Sequence, residues 1–284
     1  MKIKILADST CDLPEELIEK HDIRIIPLSI YAGDKIHKDG VDIKPHDIFE
    51  YVDSGRGICK TSAVNVGEYL DVYEEEHPKY DAIIHFTISA EMSSCYQNAR
   101  VAVEEYKNIY LIDTRNLSCA IGYLVLDAAE MAARGIAADV IYKTINERID
   151  LLDASFVIDS LTYLHKGGRC SSIAVIASSA LKIRPCLNIK DGKIIVGKKY
   201  RGKSEIVLRK YIEDRLSEKE NIDPRRIIIP HTMTKENMWL VEMAVALVKE
   251  LLPFEEVYVT TAGGTISCHC GPNTLGLFFL RKNN

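Results

Sequence analysis

Hydroxyl side chains stand at two predicted strand-to-helix junctions, where a small anion could bind. Thr61 and Ser62 precede a predicted helix, while Ser93 and Ser94 follow a predicted strand at residues 81–86 and open the next helix. In a doubly wound sheet, ligands bind beyond the carboxyl ends of the strands, near helix N-termini. Hydroxyls and free backbone N–H groups there suit a carboxylate. Serine and threonine also cap helices without binding a ligand, and the spacing leaves both interpretations open.

A nucleophilic enzyme is an alternative interpretation of the same serine segment. Ser93 or Cys95 could be activated by His269 in a hydrolase or an acyltransferase, since such a nucleophile requires a base within hydrogen-bonding reach. No serine of the chain stands in a Gly-x-Ser-x-Gly pattern, which argues against an α/β-hydrolase.

Residues 197–204 read Gly-Lys-Lys-Tyr-Arg-Gly-Lys-Ser and fit the P-loop pattern of nucleotide-binding proteins. Three features argue against an ATP site. The preceding strand is predicted to be the second arm of a hairpin around Asp191 and Gly192, not part of a βαβ unit. The loop interior is bulky and charged, whereas a phosphate needs close backbone approach. The next apolar strand, at residues 227–229, offers no aspartate for Mg²⁺. A basic surface loop is the favoured interpretation.

Eight cysteines raise the question of metal binding. Only Cys268, His269 and Cys270 form a tight cluster, and a second ligand pair at zinc-site spacing is missing. We therefore expect no metal and no bound cofactor. The cysteines of this segment are expected to fill apolar space in a turn or short strand.

Composition indicates an ordinary globular protein of 284 residues, 47% of them hydrophobic and 27% charged. The net charge of -5 gives no indication of nucleic-acid or membrane-surface binding. The N-terminus alternates like a strand and is too short in apolar residues for a signal peptide. No stretch reaches the roughly 18 apolar residues of a membrane span. We expect a cytoplasmic protein.

The first half of the chain alternates between predicted strands and helices. Capping boxes at Asp12 with Glu15 and at Asn65 with Glu68 mark two helix starts, and Asp139 is predicted to cap another helix. This rhythm predicts a mostly parallel α/β sheet with helices on both faces. We place this domain at residues 1–155.

The second half mixes hairpins with helices, which predicts an α+β domain at residues 156–284. Two predicted helices, at residues 118–133 and 172–181, are apolar nearly all round. Such helices are either buried or line an internal tunnel, and periodicity does not separate these possibilities.

Taken together, the motifs resemble those of the DegV family. Six segments match its pattern in order and span nearly the whole chain: residues 8–14, 60–62, 92–97, 161–169, 199–202 and 269–272. The chain differs from the family pattern at a few positions. Ser94 and Cys95 replace Gly and Thr, Val64 and Asn65 replace Pro and Ser, and Asn273 replaces a glycine.

The resemblance implies a two-domain fold that encloses a long-chain fatty acid between the domains. It also implies that the chain is not a complete enzyme but the acyl-carrying subunit of a two-component fatty acid kinase. The separate kinase subunit, which resembles dihydroxyacetone kinase, would bring ATP and Mg²⁺. The product would be an acyl phosphate that feeds phospholipid synthesis.

The resemblance also implies roles for particular residues. Thr61 and Ser93 look like the hydroxyls that hold the carboxylate, with Ser62 and Ser94 beside them, and His269 looks like a third contact. Arg201 and His269 look like the residues needed during phosphoryl transfer. Arg201 would then face the nucleotide of the partner.

Overall fold

The computed structural model describes residues 1–170 and 183–282. Its thirteen named strands are β1 Ile3–Asp8, β2 Ile23–Ile26, β3 Ser29–Ala32, β4 Lys35–Lys38, β5 Lys60–Ser62, β6 Ala82–Thr87, β7 Ile109–Asp113, β8 Leu152–Val157, β9 Arg184–Lys190, β10 Lys193–Tyr200, β11 Ile222–His231, β12 Glu256–Thr261 and β13 Leu275–Arg281.

The α-helices within the described ranges are α1 Glu15–Lys20, α2 Pro45–Asp53, α3 Val66–Glu76, α4 Cys95–Ala102, α5 Cys119–Ala133, α6 Ala138–Ile149, α7 Leu161–Gly167, α8 Ser204–Arg215, α9 Trp239–Leu251 and α10 Gly264–Cys270. Short 3-10 turns occur at Ser9–Cys11, His77–Lys79, Lys219–Asn221 and Lys235–Asn237. The apolar segment predicted as a helix at residues 172–181 lies outside the described residues.

Three sheets organise the chain. The first is parallel, with strand order β2-β1-β6-β7, and it carries the predicted α/β architecture. The second has the order β10-β9-β8-β13-β11-β12 and is antiparallel except for the β11–β12 pair. A small antiparallel sheet, β4-β3-β5, holds the segment that ends at Ser62. The predicted fold class, a two-domain α/β protein with a mixed second domain, is confirmed.

Helix α5 lies between the two large sheets. It packs against β1 and β6 of the first sheet and against β11 and β13 of the second. Because both sides of the helix meet a sheet, most of its side chains are buried. This position explains the apolar sequence of α5, which is a buried core helix.

The second sheet is covered on both faces, as its alternating side chains show. Leu277 and Phe279 of β13 join a core with α8 and α9, whereas Phe278 and Leu280 join the core around α5. Successive side chains of a strand point to opposite faces, so one strand serves two cores.

Several predicted local features can be compared with the structure. The capping box of Asn65 and Glu68 is present at the start of α3, and the hairpin at Asp191–Gly192 joins β9 to β10. The predicted cap by Asp12 is wrong: α1 begins at Glu15 after Pro14, without a side-chain cap. The Asp12 carboxylate instead accepts hydrogen bonds from Ser118 and from the backbone of Gly263.

Two other predictions need correction. Asp139 lies in the first turn of α6 and not at its N-cap, which is Ala137. The segment of Cys268, His269 and Cys270 is not a turn or strand but belongs to the short helix α10. Its cysteines are nevertheless buried among apolar side chains.

Candidate functional site

A partly open cleft lies between the small sheet, the loop after β6 and α10. Its polar lining residues are Thr61, Ser62, Ser93, Arg169, Thr265 and His269. Its apolar lining residues are Leu28, Ala63, Ile88, Met92, Leu117, Ile194, Ile266 and Cys270. The structure thus brings together four residues predicted from the sequence: Thr61, Ser62, Ser93 and His269.

Thr61 and His269 are in direct contact. The Thr61 Oγ1 atom lies 2.8 Å from Nε2 of His269. Thr61 is placed by β5, where it pairs with Ile30 of β3. His269 stands one helical turn after Thr265, so both side chains share the cleft face of α10. Strand β5 and helix α10 therefore build this part of the site together.

The N-terminus of α10 is fixed by two buried aspartates from the first third of the chain. Asp12 Oδ1 accepts from the Gly263 N–H at 2.8 Å, and Asp39 Oδ1 accepts from the Gly264 N–H at 2.8 Å. A Cβ atom at Gly264 would lie 2.7 Å from Ile30 Cδ1, so only glycine permits this close approach. These carboxylates accept hydrogen bonds from the free N–H groups of the first turn. Thr265 and His269 are the polar side chains with which α10 lines the cleft.

Burial lowers the pKa of His269 from its ordinary value of 6.5 to about 4, and the nearby charge of Arg169 acts in the same direction. His269 is therefore neutral at physiological pH. Its Nδ1 atom is buried without a hydrogen-bond partner among the described residues. A Cβ atom at Gly167 would lie 2.4 Å from this nitrogen, so α7 closes directly over the imidazole ring.

Ser93 is held by the start of α4. Its hydroxyl oxygen accepts from the Cys95 backbone N–H at 3.3 Å and lies 3.2 Å from the Cys95 sulfur. Burial raises the pKa of the Cys95 thiol to about 12. A thiol that stays protonated is a poor nucleophile, so Cys95 does not fit the hydrolase interpretation. His269, the proposed base, is hydrogen-bonded to Thr61.

Two predicted site residues lie elsewhere. Ser94 is exposed at the N-cap of α4, so its side chain is not part of the cleft lining. Arg201 follows β10 and lines a separate basic cleft with Lys198, Lys199 and Lys210. The structure does not bring Arg201 together with Thr61 and His269 in one cleft.

The P-loop interpretation of residues 197–204 is wrong. Residues 197–200 continue β10, and Gly197 packs against Asn188 of the neighbouring strand, where a Cβ atom would lie 2.3 Å from Nδ2. A phosphate cradle needs a loop of free N–H groups, and only residues 201–203 separate the strand from α8.

Sequence reasoning missed two lining residues. Arg169 brings a guanidinium group to the cleft, where it donates to the Gly167 carbonyl at 2.7 Å. Thr265 is buried, and its hydroxyl has no hydrogen-bond partner among the described residues. Each follows a pair of glycines, and Arg169 also ends the segment at residues 161–169 that matches the DegV pattern.

A second, smaller cavity adjoins the cleft. The two share the lining residues Leu117, Ile266 and Cys270. The inner cavity is also lined by Phe156 and Phe278 of the second sheet. Hydroxyl groups and a histidine thus line the cleft, and a cavity with mainly apolar lining lies beside it.

Comparison with known proteins identifies the family. The family model described as "Uncharacterised protein, DegV family" matches residues 2–282. This chain belongs to the DegV family. A DegV domain-containing protein of Caldanaerobacter subterraneus is 33% identical over 99% of both chains. A protein of Thermotoga maritima named fatty acid-binding protein is 31% identical, covering 97% of this chain and 96% of its own.

Solved structures agree with this assignment. A DegV family protein from Thermus thermophilus, described by its fatty acid binding, superimposes with a TM-score of 0.90 at 25% identity. The match covers 99% of this chain and 100% of that one. DegV proteins thus share this fold over their full length, and some of them are described as fatty acid-binding proteins.

One departure from the DegV pattern has a structural explanation. Asn273 stands where the family pattern has glycine, and its φ of 61° is in the left-handed region. Asparagine tolerates this conformation better than most residues. Its Oδ1 also accepts from Asn237 Nδ2 at 2.9 Å, so the turn after α10 is held by a side chain.

Neither a cluster of metal-ligating side chains nor a helix suited to crossing a membrane is found among the described residues of this DegV protein. Within residues 1–170 and 183–282, no group of three or more His, Cys, Asp or Glu side chains is placed to hold a metal ion. No helix in these ranges is both long and apolar enough to cross a bilayer.

Proposed function

We propose that this DegV protein binds a long-chain fatty acid, with the carboxylate at the polar cleft and the acyl chain in the apolar space behind it. The observation that carries the proposal is the adjacency of the two cavities, which share three lining residues: neutral hydrogen-bonding groups line the cleft, and the neighbouring cavity is lined mainly by apolar surface. The names of relatives that bind fatty acids support the same ligand class.

The apolar part of the ligand supplies most of the binding free energy. Each methylene removed from water contributes about 0.8 kcal/mol, so roughly fifteen of them contribute on the order of 10 kcal/mol before ordering costs. Phe156, Phe278 and Ile266 are the side chains against which the chain would pack.

The carboxylate needs donors, because a buried carboxylate without partners costs several kcal/mol. Thr61 can donate its hydroxyl proton to the ligand only if it accepts from His269, which requires the proton of the neutral imidazole on Nε2. Ser93 and Thr265 add two further hydroxyls, and Ser62 lies beside them. Arg169 adds a positive charge at the same cleft.

The second part of the proposal concerns phosphoryl transfer. We infer that a separate kinase subunit resembling dihydroxyacetone kinase supplies ATP and Mg²⁺. A carboxylate oxygen would attack the γ-phosphorus and ADP would leave, giving an acyl phosphate for phospholipid synthesis. A carboxylate held by hydroxyls remains a usable nucleophile. His269 and Arg201 would stabilise the developing charge, with Arg201 reaching the nucleotide from its exposed position after β10.

Ligand binding is tested first by extracting the purified protein with organic solvent and analysing the extract by mass spectrometry. We expect a long-chain fatty acid in stoichiometric amount. Thr61→Ala and Ser93→Ala should each weaken rebinding about tenfold, as the loss of a hydrogen bond to a charged group predicts. Ser217→Ala removes an exposed hydroxyl after α8 and should bind like the wild type. An empty extract together with no uptake of added fatty acid would contradict the proposal.

Phosphoryl transfer is tested with Arg201→Ala and the partner kinase. The variant should bind fatty acid normally but yield no acyl phosphate. Lys193→Ala, an exposed cation at the other end of β10, is the matched control. If Arg201→Ala supports normal turnover, the assigned role of Arg201 is wrong while the binding proposal remains intact.

A further inference from the structure

A buried histidine stands at the wall of the inner cavity, beside the cleft. His231 is the last residue of β11, where it lies between Thr261 of β12 and Leu275 of β13 in the second sheet. Its side chain lines the cavity and is 6% exposed. Because the strand is paired on both sides at this residue, the backbone holds the imidazole ring in a fixed place at the cavity wall.

The proton of the neutral His231 ring is on Nε2. The Nδ1 atom accepts a hydrogen bond from the backbone N–H of Met233 at 3.2 Å. A backbone N–H can only donate, so Nδ1 carries no proton and Nε2 carries the single proton of the neutral imidazole. Burial lowers the pKa of His231, which keeps the ring neutral at physiological pH. No side chain or carbonyl group within residues 1–170 and 183–282 accepts a hydrogen bond from Nε2.

The hydroxyl groups of the inner cavity already donate their protons to protein atoms. Three hydroxyl side chains line it: Ser118, Thr232 and Thr274. Thr232 donates to the Gly271 carbonyl at 2.6 Å. Ser118 donates to a carboxylate and Thr274 to a backbone carbonyl. Among the described lining residues, His231 is therefore the nitrogen or hydroxyl donor that remains available to a ligand.

We propose that the preferred ligand of this protein is an oxygenated long-chain fatty acid, whose chain carries a hydroxyl, oxo or epoxide oxygen that accepts from His231 Nε2. The inference rests on the proposed function, because it requires the acyl chain to enter the inner cavity. An unsubstituted chain would cover the Nε2–H group with methylene groups and leave it without an acceptor, which disfavours binding. An oxygen atom on the chain would accept this proton and remove that cost. A buried donor thus separates a ligand with the matching acceptor from one that lacks it.

The test compares stearic acid with hydroxystearic acids that carry the hydroxyl group at successive positions from the middle of the chain to its end. Each acid competes with a fluorescent long-chain fatty acid for the delipidated full chain. At the position that matches His231, the hydroxystearic acid should bind about tenfold more tightly than stearic acid. His231→Phe should abolish this preference, whereas His231→Gln, which keeps an amide donor, should retain part of it. His46→Leu, which removes an exposed histidine of α2, should keep the full preference.

The outcomes separate this inference from the binding proposal. If neither stearic acid nor any hydroxystearic acid binds, both proposals fail. If stearic acid binds and no hydroxyl position improves the affinity, the inference alone is overturned. An equal preference in the wild type and in His231→Phe also overturns it, because the gain then comes from another group. If His231→Phe does not fold, the NMR signal of the Nε2 proton in the wild type decides. It must move downfield with the preferred hydroxystearic acid relative to stearic acid, and an unchanged signal rejects the inference.

Discussion

His269 combines a half-buried position with a hydrogen bond to Thr61. The ring lies under Gly167 on one side and faces the cleft on the other. A protonated imidazole would carry an unpaired charge into this site, which is why burial lowers its pKa. The neutral ring instead acts as an orienting donor, and it sets the direction of the Thr61 hydroxyl.

The depressed pKa of His269 predicts a specific acid sensitivity. Between pH 6.5 and about 4 the unfolded chain binds a proton at this residue and the folded protein does not. The contribution of His269 to stability is therefore complete above pH 6.5 and is lost as the pH falls towards 4. The free energy of unfolding of His269→Gln, measured by urea denaturation of delipidated protein, should fall less steeply across this window than that of the wild type. Parallel pH profiles would contradict the assigned pKa.

Some residues of the cleft could be predicted from the sequence, and others could not. Thr61 and Ser93 are recognisable because their hydroxyls stand near predicted helix starts, whereas His269 is recognisable from the segment at residues 269–272 that matches the DegV pattern. Arg169 and Thr265 stand beside glycines that look like ordinary turns. Their place in the cleft depends on how α7 and α10 pack, and that packing depends on contacts between distant segments.

At the scale of elements, the decisive contact is the crossing of α7 and α10. The helices approach so closely that Gly167 of α7 touches the His269 ring, and Gly271 after α10 touches the ring of Tyr163. A Cβ atom at Gly271 would lie 2.5 Å from Tyr163 Cδ2. Glycine at these points lets α7 form one wall of the site.

Gly167→Ala therefore should damage the site, although alanine normally favours a helix by about 1 kcal/mol over glycine. The added methyl group would overlap His269 Nδ1, and overpacking of this kind costs about 1–3 kcal/mol. We expect a lower melting temperature and weaker fatty acid binding. Gly67→Ala in α3 is the control, because its Cβ atom would meet only the Asn65 side chain at 3.3 Å. Equal stability of the two variants would show that α7 moves aside without cost.

Helix starts and hairpin turns could be predicted where the residues that define them lie close together in the sequence. The capping box at Asn65 and the hairpin turn at Asp191 each depend on residues a few positions apart, and both are present. Helix α10 was missed because its seven residues include a glycine and two cysteines and its N-terminus is capped from a distance by Asp39. The carboxylate of Asp12 was assigned to the nearest helix, although its partners are far away in the sequence.

At the scale of the whole molecule, an ion network centred on a buried arginine joins helix α5 to the second sheet. Arg226 of β11 is fully buried and contacts Asp127 at 3.1 Å and Glu256 at 2.5 Å, with Glu130 as a third partner. Arg225 also binds Asp127. Since Asp127 and Glu130 belong to α5, this network fixes the central helix to the second sheet.

Arg226→Leu should lower the free energy of unfolding by about 3 kcal/mol, because it removes the fully buried guanidinium that binds the buried Asp127 together with Glu130 and Glu256. Chemical denaturation monitored by circular dichroism measures this loss. Arg209→Leu removes a half-exposed i,i+4 pair with Glu205 and should change stability by less than about 0.5 kcal/mol. A similar small change in both variants would mean that Arg148 and Arg225 compensate for the missing charge.

The pairing of charges in this network could not be predicted from the sequence. The apolar character of α5 left burial and tunnel lining both open, and the structure places the helix between the two large sheets with most of its side chains buried. The partners of Asp127 and Glu130, however, come from a strand about a hundred residues later, at separations of 99 and 96 positions. Sequence alone gives no reason to connect these charges.

The long reach of the contacts around α10 has a consequence for how the protein is made. Asp12 binds Gly263 across 251 positions, and Thr61 meets His269 across 208. Contacts between residues so far apart in the sequence form late in folding, because the entropy cost of closing the long loop comes before the gain from the contact. On the ribosome, the parallel sheet can pair before Gly263 has been synthesised. A growing chain therefore passes through a stage in which strands and helices have formed but the cleft has not. The cleft is complete only after α10 has packed against β5 and α7.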